Sequence, residues 1–138
     1  MADNRTTVEQ FLRAMGTGDF EAQERLLTSD FVEVYPQSGE VIRGNDNRRA
    51  IMENYPGGTP KETTQLSAPA PEIRGSGDQF TAHGQVTYPN GETWEVVSLI
   101  DLRDGKISKM TSYFAAPFEA PAWRAPYVEK ETAEARSR

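Results

Sequence analysis

The 138-residue chain contains no cysteine and a single histidine, His83. Without thiols it has no disulfide, no thiolate nucleophile and no cysteine-bound metal. With one imidazole, a transition-metal site would need carboxylates for its other ligands, a set that suits hard cations instead; no metal is expected. Basic charge is also short. Fifteen Lys and Arg against 21 Asp and Glu leave a net charge of −6, the wrong sign for a phosphate backbone, so no nucleic-acid partner is expected. No apolar run approaches the roughly 20 residues that span a bilayer. The opening MADNRTTVEQ lacks the basic and apolar regions of a secretory leader. The expectation is a cytoplasmic protein with no membrane partner. Internal repeats and phosphate-binding glycine motifs are missing too.

What is present divides into two halves of different kind. Helical spacing governs the first. Val8, Phe11, Leu12 and Met15 follow the i, i+3, i+4, i+7 pattern of one apolar face, predicting a helix over 7–15 capped by Thr6 or Thr7. GTGD breaks it. DFEAQERLL predicts a second short helix, with Asp19 as cap and Phe20, Leu26 and Leu27 buried. GNDNRRAIMENY predicts a third, capped by Asn45 and stopped at Pro56-Gly57-Gly58. Between the second and third helices, FVEVYP alternates as a strand, followed by a QSGE turn and a short strand through Val41 and Ile42. The second half is a meander punctuated by Gly75-Ser76-Gly77-Asp78, Pro89-Asn90-Gly91 and Asp104-Gly105. Asn-Gly and Asp-Gly suit two-residue hairpin loops, whose central residues need positive φ. The strands between them are QFTAHGQVTY, ETWEVVSLIDLR and KISKMTSYF, preceded by a weaker strand near 67–74 that Pro69 and Pro71 confine to an edge. The class is α+β, a single domain over 1–128 with a polar tail over 129–138.

The stretch FLRAMGTGDFEAQERLLTSDFVEVYP, the glycine before the third helix (Gly44) and LRDGKISKMTSYF together resemble the cone-shaped, cystatin-like fold of nuclear transport factor 2, ketosteroid isomerase and the SnoaL-like polyketide cyclases, over roughly residues 6–118. The resemblance implies a curved, mixed but mostly antiparallel sheet wrapped around a pocket that three N-terminal helices close. Laid on it, Phe31, Glu33 and Tyr35 face inward, as do Phe80, Ala82, Gly84, Val86, Tyr88, Trp94, Val96, Ser98, Ile100, Met110, Ser112 and Phe114. Alternation supports this independently in the fourth strand, where Thr81, His83, Gln85 and Thr87 are all polar. The isomerases place a tyrosine, an aspartate and a second acid at positions occupied here by Phe11, Tyr35 and Ser98. All three differ, so steroid isomerisation is not implied. The carboxylate that the cyclases are thought to use has no counterpart at Ser98, Met110 or Ser112. Tyr55 does match an isomerase pocket tyrosine.

Glu33 is the one carboxylate that this alignment places inside. On the residues alone it could instead be solvated, or tied to an arginine such as Arg43. Buried among aromatic groups it would have a raised pKa and suit general acid or base work, and Glu33→Gln would leave the fold at least as stable near pH 7. Tyr35 and Tyr55 could donate hydrogen bonds to a carbonyl or enolate oxygen. The expected catalytic set is therefore Glu33, Tyr35 and Tyr55; the expected ligand-contacting set is Phe11, Met15, Trp94, Ser98, Met110, Ser112 and Phe114. No cofactor is expected. The ligand is expected to be a small apolar or aromatic molecule, and the chemistry a proton transfer such as cyclisation, dehydration or isomerisation. A carrier without catalysis and a protein-interaction module are the alternatives. His83, Glu95 and Asp101 fall on the outer face. There Val97, Leu99, Ile107 and Tyr113 predict a homodimer through the convex side. Phe118, Trp123 and Tyr127, in a proline-broken segment, are expected over the pocket mouth or on a second subunit.

Overall fold

The computed structural model describes residues 3–56, 70–88 and 90–131. Helices α1 (Asn4–Thr17) and α2 (Phe20–Arg25) lead into β1 (Leu27–Tyr35) and β2 (Glu40–Arg43); α3 (Asn45–Glu53) follows, then β3 (Glu72–Ser76), β4 (Gln79–Thr87), β5 (Thr93–Arg103) and β6 (Lys106–Ala115). The six strands form one sheet in the order β2-β1-β6-β5-β4-β3. The β1–β6 pair is parallel and the other pairs are antiparallel. This is the mixed, mostly antiparallel α+β sheet expected.

Local chemistry explains the helix ends, with corrections to the expected caps. Asp3, not Thr6 or Thr7, caps α1 by accepting from the Thr6 N–H, and Gly18 closes it at φ 71°, a left-handed C-cap that glycine adopts without cost. Asp19 caps α2 as expected. That helix ends at Arg25, and Leu27 opens β1 because its backbone pairs with Ile107. Leu27 is buried as a strand residue, while Phe20 and Leu26 are half-buried and Gln23 takes the interior place. Asn45 is the first residue of α3; its cap is Gly44, which makes no side-chain bond. The weak edge strand begins at Glu72, and the 67–69 part of its expected range lies outside the described residues, as does Pro89 of the second turn. The third turn has the geometry its dipeptide predicts, with Asp104 at φ 53° and Gly105 at φ 79°.

The core lies between α1 and the concave face, around Val8, Phe11, Leu27, Phe31, Ile100, Ile107 and Met110. Each fully buried side chain of this size contributes about 1.5–3 kcal/mol. Ile107 corrects an expectation: it is 0% exposed and faces inward. The register slips between Asp101↔Lys109 and Leu102↔Ile107, leaving Ser108 as an extra residue whose hydroxyl donates to the Asp101 carbonyl. One inserted residue reverses the facing of everything beyond it.

Candidate functional site

Strand periodicity places Phe31, Glu33 and Tyr35 of β1 on the concave face, beside Met110, Ser112 and Phe114 of β6 and Ser98 and Ile100 of β5. Along these strands exposure changes in one direction. Phe31, Ile100, Met110, Ser98 and Ser112 are buried, whereas Tyr35, Phe114, Val96, Trp94 and Val86 are half-buried. The concave face is therefore sealed at one end and open at the other. Ser98 and Ser112 belong to the sealed part, where their hydroxyls bond to each other at 2.8 Å.

At the boundary stands an ion pair. Glu33 is 4% exposed and Arg48, from α3, is 3% exposed; Arg48 Nε and Glu33 Oε1 are 3.6 Å apart. The partner is thus Arg48 and not the exposed Arg43. The guanidinium also lies over the Phe11 ring, 5.2 Å from its centroid. Among the described residues neither Glu33 Oε1 nor Arg48 Nε has a hydrogen-bond partner. These two facing atoms are held by charge in a poorly solvated place, while the Tyr35 hydroxyl and the Arg48 guanidinium support the carboxylate elsewhere. Burial pushes the Glu33 carboxyl above its ordinary 4.5, a rise that the Arg48 charge and the nearby Tyr35 hydroxyl only partly oppose. Burial likewise lowers the Arg48 pKa. The Tyr35 phenol is pushed well above its usual range, first by burial and then by the negative charge of Glu33. Tyr35 is therefore a neutral hydrogen-bond donor at any physiological pH.

Two aromatic groupings stand at the open end. Tyr35 meets Phe114 edge-on at 5.2 Å, and Tyr88 meets Trp94 edge-on at 5.1 Å. The Tyr88 phenol, raised by burial and then by its bond to Tyr55, ties that wall to the end of α3. The Trp94 indole N–H points to Glu92 Oε1 at 3.4 Å. Phe11 is fully buried beneath Arg48, and Met15 packs half-buried at the edge of the core. The structure thus joins Glu33, Tyr35 and Phe11 around Arg48, with Phe114 against Tyr35, and gathers Tyr55, Trp94 and Tyr88 as a second group. His83 lies on the convex face, 3.2 Å from Glu95.

Arg48 was missed in the sequence. The signal for it is helical: Arg48, Met52 and Tyr55 fall at i, i+4, i+7 along GNDNRRAIMENY read as a helix, although α3 itself ends at Glu53. Among the described residues no cluster of three or more histidine or acidic side chains could hold a metal, and no helix is long and apolar enough to cross a membrane.

Comparison with known proteins agrees with this architecture. The chain is similar to an NTF-2 like protein of unknown function from Burkholderia xenovorans LB400, at 32% identity over 94% of this chain and 95% of that one, with a TM-score of 0.74. A Kribbella flavida DSM 17836 protein provisionally assigned as a ketosteroid isomerase is 23% identical over 95% of this chain and 91% of its own, with a TM-score of 0.81. A Xanthomonas campestris pv. campestris protein provisionally assigned as a polyketide cyclase is 19% identical over 80% and 88%, with a TM-score of 0.65. At those identities the last two speak for the fold alone. No curated protein matches the sequence. The profile of the SnoaL-like domain matches residues 8–110, and the chain belongs to that family.

Proposed function

We propose that this chain is a small-molecule enzyme of the SnoaL-like type, performing cofactor-independent proton transfer on an apolar or aromatic ligand seated against the open end of the concave face. One observation carries the reading: a 4% exposed carboxylate of raised pKa, charge-paired and with its Oε1 lacking a hydrogen bond, directly behind a half-buried tyrosine. Perturbed acids of this kind concentrate at functional sites. Tyr35 stands nearer the open end and touches the ligand, donating a hydrogen bond to a carbonyl or enolate oxygen. Glu33, directly behind it, is the base that takes the proton from the carbon next to the carbonyl while Tyr35 keeps its own proton on the substrate oxygen, and Arg48 holds the carboxylate in place. Tyr55, bonded to Tyr88, offers a second hydroxyl, while Trp94 and Phe114 form the walls. Cyclisation, dehydration and isomerisation all fit such a donor and acceptor pair. The buried state of Glu33 Oε1 and the mutually bonded Ser98 and Ser112 favour one alternative, a carrier that binds the same ligand without turnover.

A bicyclic ketone such as 2-tetralone in D2O separates the two readings. An enzyme should bind it, quench Trp94 emission in a Trp123→Phe background, and speed deuterium uptake next to the carbonyl. Tyr35→Phe should cut that exchange by about 10²-fold, the scale of a lost oxyanion donor. Saturable quenching without faster exchange would leave the carrier, and no quenching by any ketone or phenol of this size would remove both.

We also propose that two copies pair through the convex face, where Leu99 is 43% and Tyr113 41% exposed beside half-buried Val97. Register places Val41, Val34, Thr111 and Leu99 in one row across four strands. A dimer mass is expected from light scattering at micromolar concentration, and Leu99→Asp should return a monomer. A wild-type monomer would refute the proposal.

A further inference from the structure

Beyond β6 the chain forms a 3-10 helix over Ala122–Tyr127 that contains Pro126 and buries none of its residues. Phe118 is 82%, Trp123 73% and Tyr127 81% exposed, so this segment neither covers the open end of its own concave face nor joins its own core. Three solvent-facing rings on a short proline-bearing strap are a surface built for contact. Elsewhere the molecule carries a matching recess. Between β2 and α3 a groove of about 440 Å³ has Val41, Ile42 and Ile51 on its floor and Glu40 and Asn47 on its rim; Val41 and Ile51 are exposed. It borders β2, one of the two edge strands of the sheet.

We infer that the strap of one copy docks in the β2–α3 groove of a second copy, with Trp123 on the apolar floor and Arg124 at the Glu40 rim. This deepens the two-copy reading above. Two properties select this occupant. Charge is complementary: the Arg124 guanidinium lies over Trp123, 5.7 Å from its centroid, so the cation enters with the ring and meets a carboxylate and an amide. Area is adequate: with aromatic side chains burying about 150–250 Å² each, two reciprocal straps and the surfaces they cover account for about 1,900 Å², near the upper end of a standard stable interface. Proline fixes part of the strap before docking, which lowers the ordering cost. Exchange of identical straps gives a closed twofold assembly.

Sedimentation velocity on the full chain tests this across concentrations. Trp123→Ala and Ile51→Glu should each raise the dimer dissociation constant at least tenfold. Ile51 lies on α3, away from the convex sheet face, so this effect is distinct from that of Leu99→Asp, and neither variant touches Glu33, Tyr35 or Arg48. An equimolar mixture of the two variants should recover part of the affinity, because one mixed pair retains an intact strap and an intact groove. In a Trp94→Phe background, Trp123 emission should shift to the blue as the mass doubles. Dimerisation of Trp123→Ala and Ile51→Glu at the wild-type constant would overturn the inference. So would blue-shifted Trp123 emission at concentrations where the mass is that of a monomer, since the strap would then pack on its own chain.

Discussion

Arg48→Ala is expected to cost about 3–5 kcal/mol of folding stability, the range for removing one member of a buried ion pair. The cost arises because Glu33 is left in a place water does not reach: it is 4% exposed, with its Oε1 already lacking a hydrogen bond. Losing the guanidinium from the Phe11 ring adds a smaller loss of roughly 0.5–2 kcal/mol. Urea denaturation near pH 7 should therefore show a lower midpoint with an unchanged slope. The loss should persist at high salt, because a buried pair is screened far less than a surface pair such as Arg5–Glu9. Replacing both members, Arg48→Met with Glu33→Leu, should recover most of the stability, since the desolvation cost leaves with the charges. A single-variant loss below about 1 kcal/mol would mean that the carboxylate reaches solvent when the arginine is gone. The proposed proton-transfer role would go with it.

The facing of Glu33 was legible in the sequence because a strand has a period of two and its neighbours leave little choice: once Phe31 is inside, Glu33 and Tyr35 follow. The same rule placed His83 outside with Thr81 and Gln85. Its partner was harder to find. Arg48 is fifteen residues on and in a helix, and nothing local distinguishes it from Arg43 or Arg49; only its helical spacing to Tyr55 marks it. Ile107 failed for a different reason. Its parity with Lys109 holds only in an unbroken ladder, and the extra Ser108 that breaks the ladder carries no composition signal in the way a glycine would. Leu27 was assigned to a helix because QERLL reads equally well either way until its partner Ile107 is known. Long-range pairing decided all three residues.

Arg48 does not reverse the expectation about Glu33→Gln. Its charge already opposes the rise in the folded pKa, and burial still wins, so a neutral side chain is favoured there even beside the guanidinium. Glu33→Gln should therefore be at least as stable as the wild type near pH 7, with the amide oxygen still able to accept from Arg48. The pH dependence isolates the carboxyl itself. Its folded pKa lies above its ordinary 4.5, so the folded state binds this proton more tightly than the unfolded chain does. That contribution is fully present below 4.5 and declines as pH rises through the folded value. Asp3 and Asp30 have lowered pKa values, through the Thr6 N–H and the Arg103 hydrogen bond respectively. Their contributions are lost as pH falls through their folded values, below 3.8, so the two effects occupy separate windows. Above 4.5, wild-type stability should therefore carry a downward slope that Glu33→Gln abolishes. Over the same window the proton exchange of a bound ketone should rise as Glu33 ionises, because only the carboxylate accepts a proton. Glu33→Gln should lower that exchange by about 10²–10⁴-fold and flatten its pH profile, while leaving Trp94 quenching by the ketone within a few-fold of wild type. NMR titration of the Glu33 carboxyl measures the same quantity directly. A folded pKa at or below 4.5 would show that Arg48 outweighs burial, and the carboxylate would then be a structural counter-ion and not the proton acceptor.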